Sequence, residues 1–490
     1  MSTATLSALD HVARPAPRRR FLAIHAPRYS AALTIAVLGL TDALVLIAAF
    51  VSSVCFWSLF RPGTDLRYLL SYWPFLLVFI AVYVGAGLYR VVGLNPVQEL
   101  RQCVMATSLA LLIFAGSTFL LKEARGFARG IPLLTWLLIS VALPPARAFV
   151  RKICGPRQWF GRGVVILGAG KTGESVLRAL QQSPGLGLKP VAVLDDNTKQ
   201  DRLCGVPVLG GLDLAPSLAA KARLSYGILA MPGLSRHGLL EILQKHGQAF
   251  DRLLLIPDLL GMASLCVEAT DLGGMLGLEI RHNLLYRPAR LVKRVLDLAA
   301  VVALAPVLLP LFGVVACLIK LTSRGPVFYG QTRVGRGSRA FKAWKFRTMV
   351  QGADEVLRRH LENDPALAEE WRLTHKLKRD PRVTRLGRLL RRASLDELPQ
   401  LINVITGEMS LVGPRPIVAA EVEKYGQHYA FYRRVTPGIT GLWQVSGRNN
   451  TTYDQRVAFD QYYVLNWSIW LDLYISKKTV GTVLTGDGAY

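Results

Sequence analysis

Two adjacent carboxylates, Asp396 and Glu397, stand in a run of otherwise basic and apolar residues: from Arg385 to Pro416 the chain reads R-L-G-R-L-L-R-R-A-S-L-D-E-L-P-Q-L-I-N-V-I-T-G-E-M-S-L-V-G-P-R-P. Arg388, Arg391 and Arg392 precede the pair and Arg415 follows it. An acid pair ringed by guanidinium groups suits an anionic substrate and a divalent cation. Arginines grip phosphate oxygens through paired N–H bonds, Mg²⁺ bridges phosphate to carboxylate, and a carboxylate can itself attack phosphorus. The same spacing has a structural reading. Ser394 with Glu397 three residues on, ahead of Leu398, Leu401, Ile402 and Ile405, has the pattern of a capping box opening an amphipathic helix, with both acids complementing the helix dipole. The two readings are compatible.

A second chemical signal lies upstream. Val164 to Leu167 reads as a buried strand, followed by G-A-G-K-T-G over Gly168 to Gly173, a helix from about Glu174 to Gln182, and a second strand, Val191 to Leu194, ending at Asp195 and Asp196. This is a Rossmann-type glycine fingerprint, with Gly168, Gly170 and Gly173 as candidate nucleotide-binding positions and Asp195 where a ribose hydroxyl would sit. It is not a Walker loop, because Val165 stands where a leading glycine is needed. A fold that keeps the glycine turn and binds no dinucleotide reads the same way.

These residues need a scaffold, and composition says part of it is membrane. Apolar residues make up 51% of the 490-residue chain, with a mean hydropathy of +0.31, more than a soluble protein of this size needs. Four apolar segments, Ala31 to Trp57, Tyr68 to Tyr89, Val104 to Leu121 and Ile131 to Val150, each reach the roughly 17 to 25 residues of a spanning helix. Trp57, Tyr68, Tyr72, Trp73 and Tyr89 sit at or near segment ends, as interfacial anchors do. The basic arm over residues 1–30, with Arg14, Arg18, Arg19, Arg20 and Arg28, and the cluster Arg147, Arg151, Lys152, Arg157 and Arg162 both favour the cytoplasmic side, which four spans satisfy. The intervening loops also carry Arg61, Arg67, Lys122, Arg125 and Arg129. The arm lacks the cleavage site of a removable signal peptide. Asp42, inside the first segment, is expected to face neighbouring helices.

The net charge of +26 fits anionic lipid or phosphate-bearing substrates; no nucleic-acid-binding motif is present, so nucleic acid is not an expected partner. The six cysteines are scattered without a C-x-x-C pair, which argues against disulfides and zinc. Val295 to Leu321 is apolar enough for a fifth span, yet both flanks are basic: Arg287, Arg290, Lys293 and Arg294 before, Lys320, Arg324, Arg333, Arg336 and Arg339 after. Crossing would strand one cluster outside and part the glycine-fingerprint segment from the acid pair. Pro306 and Pro310 lie mid-segment. The expectation is a helix over 293–321 that enters one leaflet, bends and returns. Asp354 to Lys378 reads as one or two amphipathic helices. Leu465, Ile469 and Leu473 form a stripe at helical spacing beside Trp467, Trp470, Lys477 and Lys478, suited to an interfacial or a core-facing helix.

The strings Ser394 to Asn403, Gly407 to Pro416 and P-G-I-T-G-L-W-Q-V-S-G-R-N over Pro437 to Asn449, with Lys345 to Met349 and Lys293 to Asp297 upstream, resemble the bacterial polyprenyl-phosphate hexose-1-phosphate transferases, the bacterial sugar transferase family. Asp271 to Glu279 and the closing Asp487 to Tyr490 resemble its long, multi-span branch. The resemblance covers essentially the whole chain and is strongest from about Leu291. It implies transfer of hexose 1-phosphate, galactose or glucose, from UDP-hexose to undecaprenyl phosphate with release of UMP, the first step of polysaccharide assembly. By family likeness Asp396 is the nucleophile and forms a covalent phosphosugar, Glu397 is a metal ligand or orienting carboxylate beside it, and Mg²⁺ is the cofactor. Arg415, held rigidly between prolines, with Arg388, Lys345, Arg347, Arg448 and Gln444, would bind phosphate or substrate; Trp443 and Asn449 belong to the same candidate pocket. Pro306 matches the family's break in a re-entrant helix. The implied architecture is a four-span membrane α-helical bundle (31–150), a cytoplasmic Rossmann-like α/β domain (163–279) that is not catalytic, a linker (280–290), and a mainly α-helical, membrane-associated catalytic domain (291–490). A homodimer in the bacterial inner membrane, with the site on its cytoplasmic face, is expected. Two alternatives stand beside this: a membrane nucleotide-sugar dehydratase or epimerase, for which Tyr474 and Lys478 supply a Y-x-x-x-K pattern but no second glycine motif lies between Leu291 and Tyr490, and a non-catalytic glycan-assembly scaffold.

Overall fold

The computed structural model describes residues 29–60, 67–120, 130–197, 200–257, 267–271, 273, 276–280, 283–374, 377, 380–446 and 451–485. Most of the basic arm, Arg448, Asn449 and the closing Asp487 to Tyr490 lie outside them. The chain divides into two units, residues 1–260 and 261–490.

The first unit begins with four helices, α1 (Ala31–Ser58), α2 (Arg67–Gly85), α3 (Pro96–Leu120) and α4 (Gly130–Cys154). α1, α3 and α4 are long and apolar enough to cross a membrane, and the described side chains of α2 include an apolar stretch, Leu76–Gly85. α3 starts eight residues before the apolar run does: the Asn95 side chain accepts from the Val97 amide at 3.0 Å, so a polar first turn with Glu99 is helical without being apolar. Asp42 is fully buried and its Oδ1 lies 3.4 Å from Arg147 Nε. Arg147 also approaches Glu99 at 3.7 Å, Arg151 Nε meets Glu99 at 3.3 Å, and Arg147 Nη2 donates to the Leu88 carbonyl at 2.7 Å. The intramembrane acid is therefore part of a four-charge cluster joining α1, α3 and α4.

The helix ends are hydrogen-bonded to an α/β layer: the Gly161 amide donates to Thr34 Oγ1 at 3.0 Å and Arg151 Nη1 to the Gly185 carbonyl at 3.3 Å. Its sheet comprises β1 (Arg162–Leu167), β2 (Leu188–Leu194), β3 (Arg202–Leu203), β4 (Val206–Gly210), β5 (Tyr226–Leu229) and β6 (Arg252–Leu255) in the order β3-β4-β2-β1-β5-β6. All pairs are parallel except β3 with β4. α5 (Lys171–Gln182), α6 (Ala215–Ala222) and α7 (Arg236–Lys245) cover it. Val165 and Leu167 of β1 enter one core, Val164 and Ile166 the other, the alternation of a strand buried on both faces. The strand order reverses at β1, where the glycine turn lies.

The second unit opens with an antiparallel hairpin, β7 (Val267–Asp271) and β8 (Leu276–Ile280), and then α8 (Arg287–Thr322), a continuous helix of 36 residues with Pro306 and Pro310 inside it. Both its arms pack on the unit that follows. Val301 joins Phe341, Ala343 and Val404, while Val315 and Ile319 join Phe346 and Leu390. Between these contacts Val302, Val307 and Leu309 are about 70% exposed. Lys293 anchors the first arm, 2.7 Å from Asp472, and Asp297 accepts from Ser410 Oγ at 2.6 Å.

Beyond α8 come the hairpin β9 (Phe328–Val334) and β10 (Ala340–Phe346), then α9 (Ala353–Asn363), α10 (Pro365–Thr374), α11 (Arg385–Arg392), α12 (Gln400–Thr406), β11 (Ser410–Val412), α13 (Val422–Tyr425), α14 (Tyr429–Tyr432), β12 (Gly438–Thr440), α15 (Leu442–Ser446), α16 (Tyr453–Asn466) and α17 (Ile469–Thr485). The stretch read as one or two amphipathic helices is thus two. The stripe Leu465, Ile469 and Leu473 does not lie on one helix, which corrects the sequence reading: the chain turns at Trp467, which is 6% exposed and donates from Nε1 to Asp472 at 3.0 Å. Burial of that indole breaks the helix there.

Candidate active site

Position 345 and its neighbours set one wall. β10 sends Phe346 into the core, where its ring lies 4.8 Å from Phe312 of α8 and 5.7 Å from Phe328; Lys345 and Arg347, two positions apart, share the opposite side. α11 closes on this wall at Gly387. A Cβ there would collide with the Thr348 carbonyl oxygen and lie 2.8 Å from its carbon and 2.9 Å from its Cα, so only glycine permits the approach. The helix phase then brings Arg391 Nε to Thr348 Oγ1 at 3.0 Å.

The acid pair follows in a way the capping pattern did not foresee. Ser394 adopts a left-handed conformation, φ 54°, and its side chain caps nothing; Leu395 to Glu397 form a single 3₁₀ turn, and α12 begins only at Gln400. This corrects the capping-box reading. Pro399, with no amide hydrogen and a fixed φ, sets the helix start behind it, leaving both acids in a tight turn between two helices. Lys345 Nζ lies 2.7 Å from Glu397 Oε1, both side chains half-buried.

The opposite wall is built on glycine. β11 and β12 pair in parallel, Ser410 with Gly438 and Val412 with Thr440, and a Cβ on Gly438 would meet the backbone of Gly413, 2.6 Å from its Cα. The segment leaving β11 carries Arg415, whose Cζ sits 5.9 Å from the Trp443 ring. Arg456 stacks on the same ring at 4.9 Å and donates to Glu421 at 3.2 Å. Behind them Asp460 is 3% exposed and accepts from the Tyr425 hydroxyl at 2.7 Å.

Asp396, Glu397, Lys345, Arg347, Arg415 and Gln444 all line one cleft of about 780 Å³, joined by Arg391, Ser394, Asp354, Gln331 and Trp443. Arg388 is exposed and is not among the cleft's lining residues; Arg391, one helical turn on, is the guanidinium that reaches it. Burial raises the Asp396 carboxyl above its usual range, Lys345 and Arg391 opposing and Glu397 reinforcing the effect. Burial pushes Glu397 the same way, but Lys345 and Arg415 outweigh it and hold that carboxyl below its usual range. Two neighbouring acids are thus driven apart, the more basic one better suited to attack and the other to remaining an anion. Hard oxygen donors beside a cleft fit Mg²⁺, which takes one or two carboxylates and completes its shell with substrate phosphate and water. Among the described residues no group of three metal-binding side chains occurs, which is compatible with that mode.

In the first unit Gly168, Gly170, Gly173 and Asp195 do come together. Gly168 has φ 113°, and a Cβ on Gly173 would meet the Gly168 carbonyl. Asp195, however, turns back on the loop: Oδ2 accepts from the Ala169 amide at 2.6 Å and Oδ1 from the Asn197 amide at 2.8 Å. Its carboxylate holds the glycine turn together.

Residues 288–486 match the bacterial sugar transferase family. The chain is 39% identical over 371 residues to UDP-galactose-lipid carrier transferase of Erwinia amylovora, covering 74% of this chain and 76% of that protein. The chain belongs to the bacterial sugar transferase family. Other members include the undecaprenyl-phosphate galactose phosphotransferase of Salmonella typhimurium, 36% identical with 74% of this chain and 77% of the relative covered, and the UDP-glucose:undecaprenyl-phosphate glucose-1-phosphate transferase of Escherichia coli, 32% identical with 73% and 76% covered. This bacterial sugar transferase is a transferase enzyme and a membrane protein, and its residues 85–257 match a family described as a CoA-binding domain. Sequence reading missed Gln331 and Asp354 on the cleft and the Arg456–Asp460 backing behind it; a Y-D-Q-R-V-A-F-D run beginning 12 positions after the end of the P-G-I-T-G string was the available signal for the last.

Proposed function

We propose that the protein transfers hexose 1-phosphate from UDP-hexose to undecaprenyl phosphate. The observation that carries this is the acid pair: two carboxylates with opposite electrostatic environments on the wall of a cationic cleft large enough for a diphosphate. A carboxylate oxygen of Asp396 attacks the β-phosphorus, the bond from that phosphorus to the bridging oxygen breaks, and UMP leaves. A phosphate oxygen of the lipid then attacks the same phosphorus, the acyl-phosphate bond breaks, and Asp396 is regenerated. Splitting the transfer lets one site serve two anions in turn. Lys345 orients Glu397 and, with Arg415, offsets the charge of the donor diphosphate and of the leaving UMP. Mg²⁺, held by Asp396 and Glu397, would neutralise phosphate charge. Galactose is the better candidate hexose among relatives matched over about three quarters of this chain, where the two galactose-named ones are 39% and 36% identical against 32% for a glucose-named one; glucose stays a candidate, since another glucose-named relative is 44% identical over 207 residues.

The reaction needs a lipid phosphate and a cytosolic nucleotide sugar at one surface. A re-entrant α8 meets that need: both arms pack on the catalytic unit, the exposed apolar middle centres on Pro306, and both flanks are basic. We place the site on the cytoplasmic face of the inner membrane. The test uses purified protein with donor labelled in the β-phosphate. Wild type should retain label and release UMP, while Asp396→Ala should lose label and slow turnover at least about 1000-fold. Unimpaired turnover by that variant, or a wild type that never carries label, would end the covalent proposal.

A further inference from the structure

Arg347 is tied down from outside the acid pair. Its Nη2 donates to the carbonyl of Ser323 at 2.8 Å and to its hydroxyl at 2.7 Å, and Ser323 is the residue that ends α8. Nε and Nη1 are shielded from water and donate to no protein group, though the side chain lines the cleft. A guanidinium held at one corner and unsatisfied at two others is costly until an anion completes it.

Two features say which anion. The cleft's arginines fall into two groups by their partners: Arg391 is bonded to Thr348, the residue after Arg347, whereas Arg415 is stacked on Trp443. An apolar surface adjoins the Arg347 side of the cleft: Phe328, partly exposed, lies 5.6 Å from Phe312 of α8 and precedes Tyr329, which lines the cleft and is 58% exposed; Leu321 near the end of α8 is 77% exposed, and α8 itself is long and apolar enough to enter a membrane. A water-soluble nucleotide sugar gains nothing from such a surface. A phosphate monoester on a hydrocarbon chain uses both halves of it.

We infer that Arg347 and Arg391 form the acceptor subsite, gripping the phosphate of the polyprenyl lipid while its chain lies along Leu321 and Tyr329, and that the donor occupies the Arg415 and Trp443 end. Asp396 lines the same cleft, so both substrates reach one carboxylate. Ser323 fixes Arg347 at the point where α8 leaves the bilayer, which sets the depth of the lipid phosphate. The inference rests on the transfer reaction proposed above.

The experiment is steady-state UMP release in detergent micelles free of phospholipid, varying undecaprenyl phosphate and UDP-hexose separately. Arg347→Ala should raise the KM for undecaprenyl phosphate at least tenfold and leave that for UDP-hexose within twofold, with Arg347→Lys between; a general loss of structure would move both. Ser323→Ala, which removes the hydroxyl bond to Nη2 and leaves the carbonyl bond, should shift the acceptor KM the same way by a smaller factor and covers the case in which Arg347→Ala does not fold. A rise in both constants together, or in the donor constant alone, overturns the assignment. So does an unchanged acceptor KM with weakened binding to phosphatidylglycerol vesicles, which would make Arg347 a headgroup contact. A wild type that releases no UMP with this substrate pair removes the reaction itself, and the subsite with it.

Discussion

Replacing Gly387 by alanine tests whether α11 sets the site. The new methyl group would stand 2.8 Å from the Thr348 carbonyl carbon and 2.9 Å from its Cα, with the oxygen nearer still, against carbon contacts of about 3.5 to 4.0 Å. The obstacle is backbone, so the helix must retreat by about 1 Å. Leu390, 2% exposed against Val315, Ile319 and Phe346, would lose packing, and the 3.0 Å bond from Arg391 to Thr348 would break. Overpacking of this kind costs roughly 1–3 kcal/mol, and a 1 Å misplacement near the reacting groups can cost about 100-fold in rate. The expected result is a Tm several degrees lower in detergent and UMP release slower by about two orders of magnitude. Gly481→Ala is the control: nothing lies within 4 Å of that position in α17, so it should keep full activity and gain up to about 1 kcal/mol of helix stability. A Gly387→Ala enzyme as active and as stable as wild type would refute the steric argument.

Lys345→Gln should slow UMP release roughly 10- to 100-fold and lower stability by about 1–2 kcal/mol, since a half-buried Glu397 loses its 2.7 Å partner without being fully desolvated. Glu397 is held below its usual 4.5, so its stabilisation is present above that pH and lost as pH falls through the folded-state value; the variant should flatten that acid limb of a Tm-against-pH curve. Asp460 is the opposite case, pushed by burial from 3.8 up to about 7. The folded state then binds the extra proton between those values, so stability falls as pH rises from about 4 to 7, by at most roughly 4 kcal/mol. Asp460→Asn should remove this slope, and an unchanged slope would show that the carboxyl is already ionised in the fold.

The chemistry was legible where it needs particular residue types. The acid pair, the rigid arginine between two prolines and the glycine turn after a buried strand each stand out because few other residues serve. What the sequence hid was set by partners far along the chain. Arg391 and not Arg388 enters the cleft because Gly387 seats α11 on Thr348, and one turn of helix decides which arginine faces inward. Ser394 has the identity of a cap yet takes a left-handed bend, because Pro399 delays the next helix. Trp467 ends α16 through Asp472, itself held by Lys293 from the start of α8. Asp195 sits where a ribose-binding acid belongs, and local backbone amides claim it instead.

The charged cluster of Asp42, Glu99, Arg147 and Arg151 bears on how the protein is made. An uncompensated acid or arginine in a spanning helix costs at most about 2.5–3.5 kcal/mol on insertion, less towards the helix ends, and Arg147 follows Asp42 by 105 positions of chain. At about 5–20 residues per second, the nascent first helix waits for several seconds before its counter-charge leaves the ribosome. The first and fourth helices are therefore partners in biogenesis: the charge carried by the earlier one is compensated only once the later arrives.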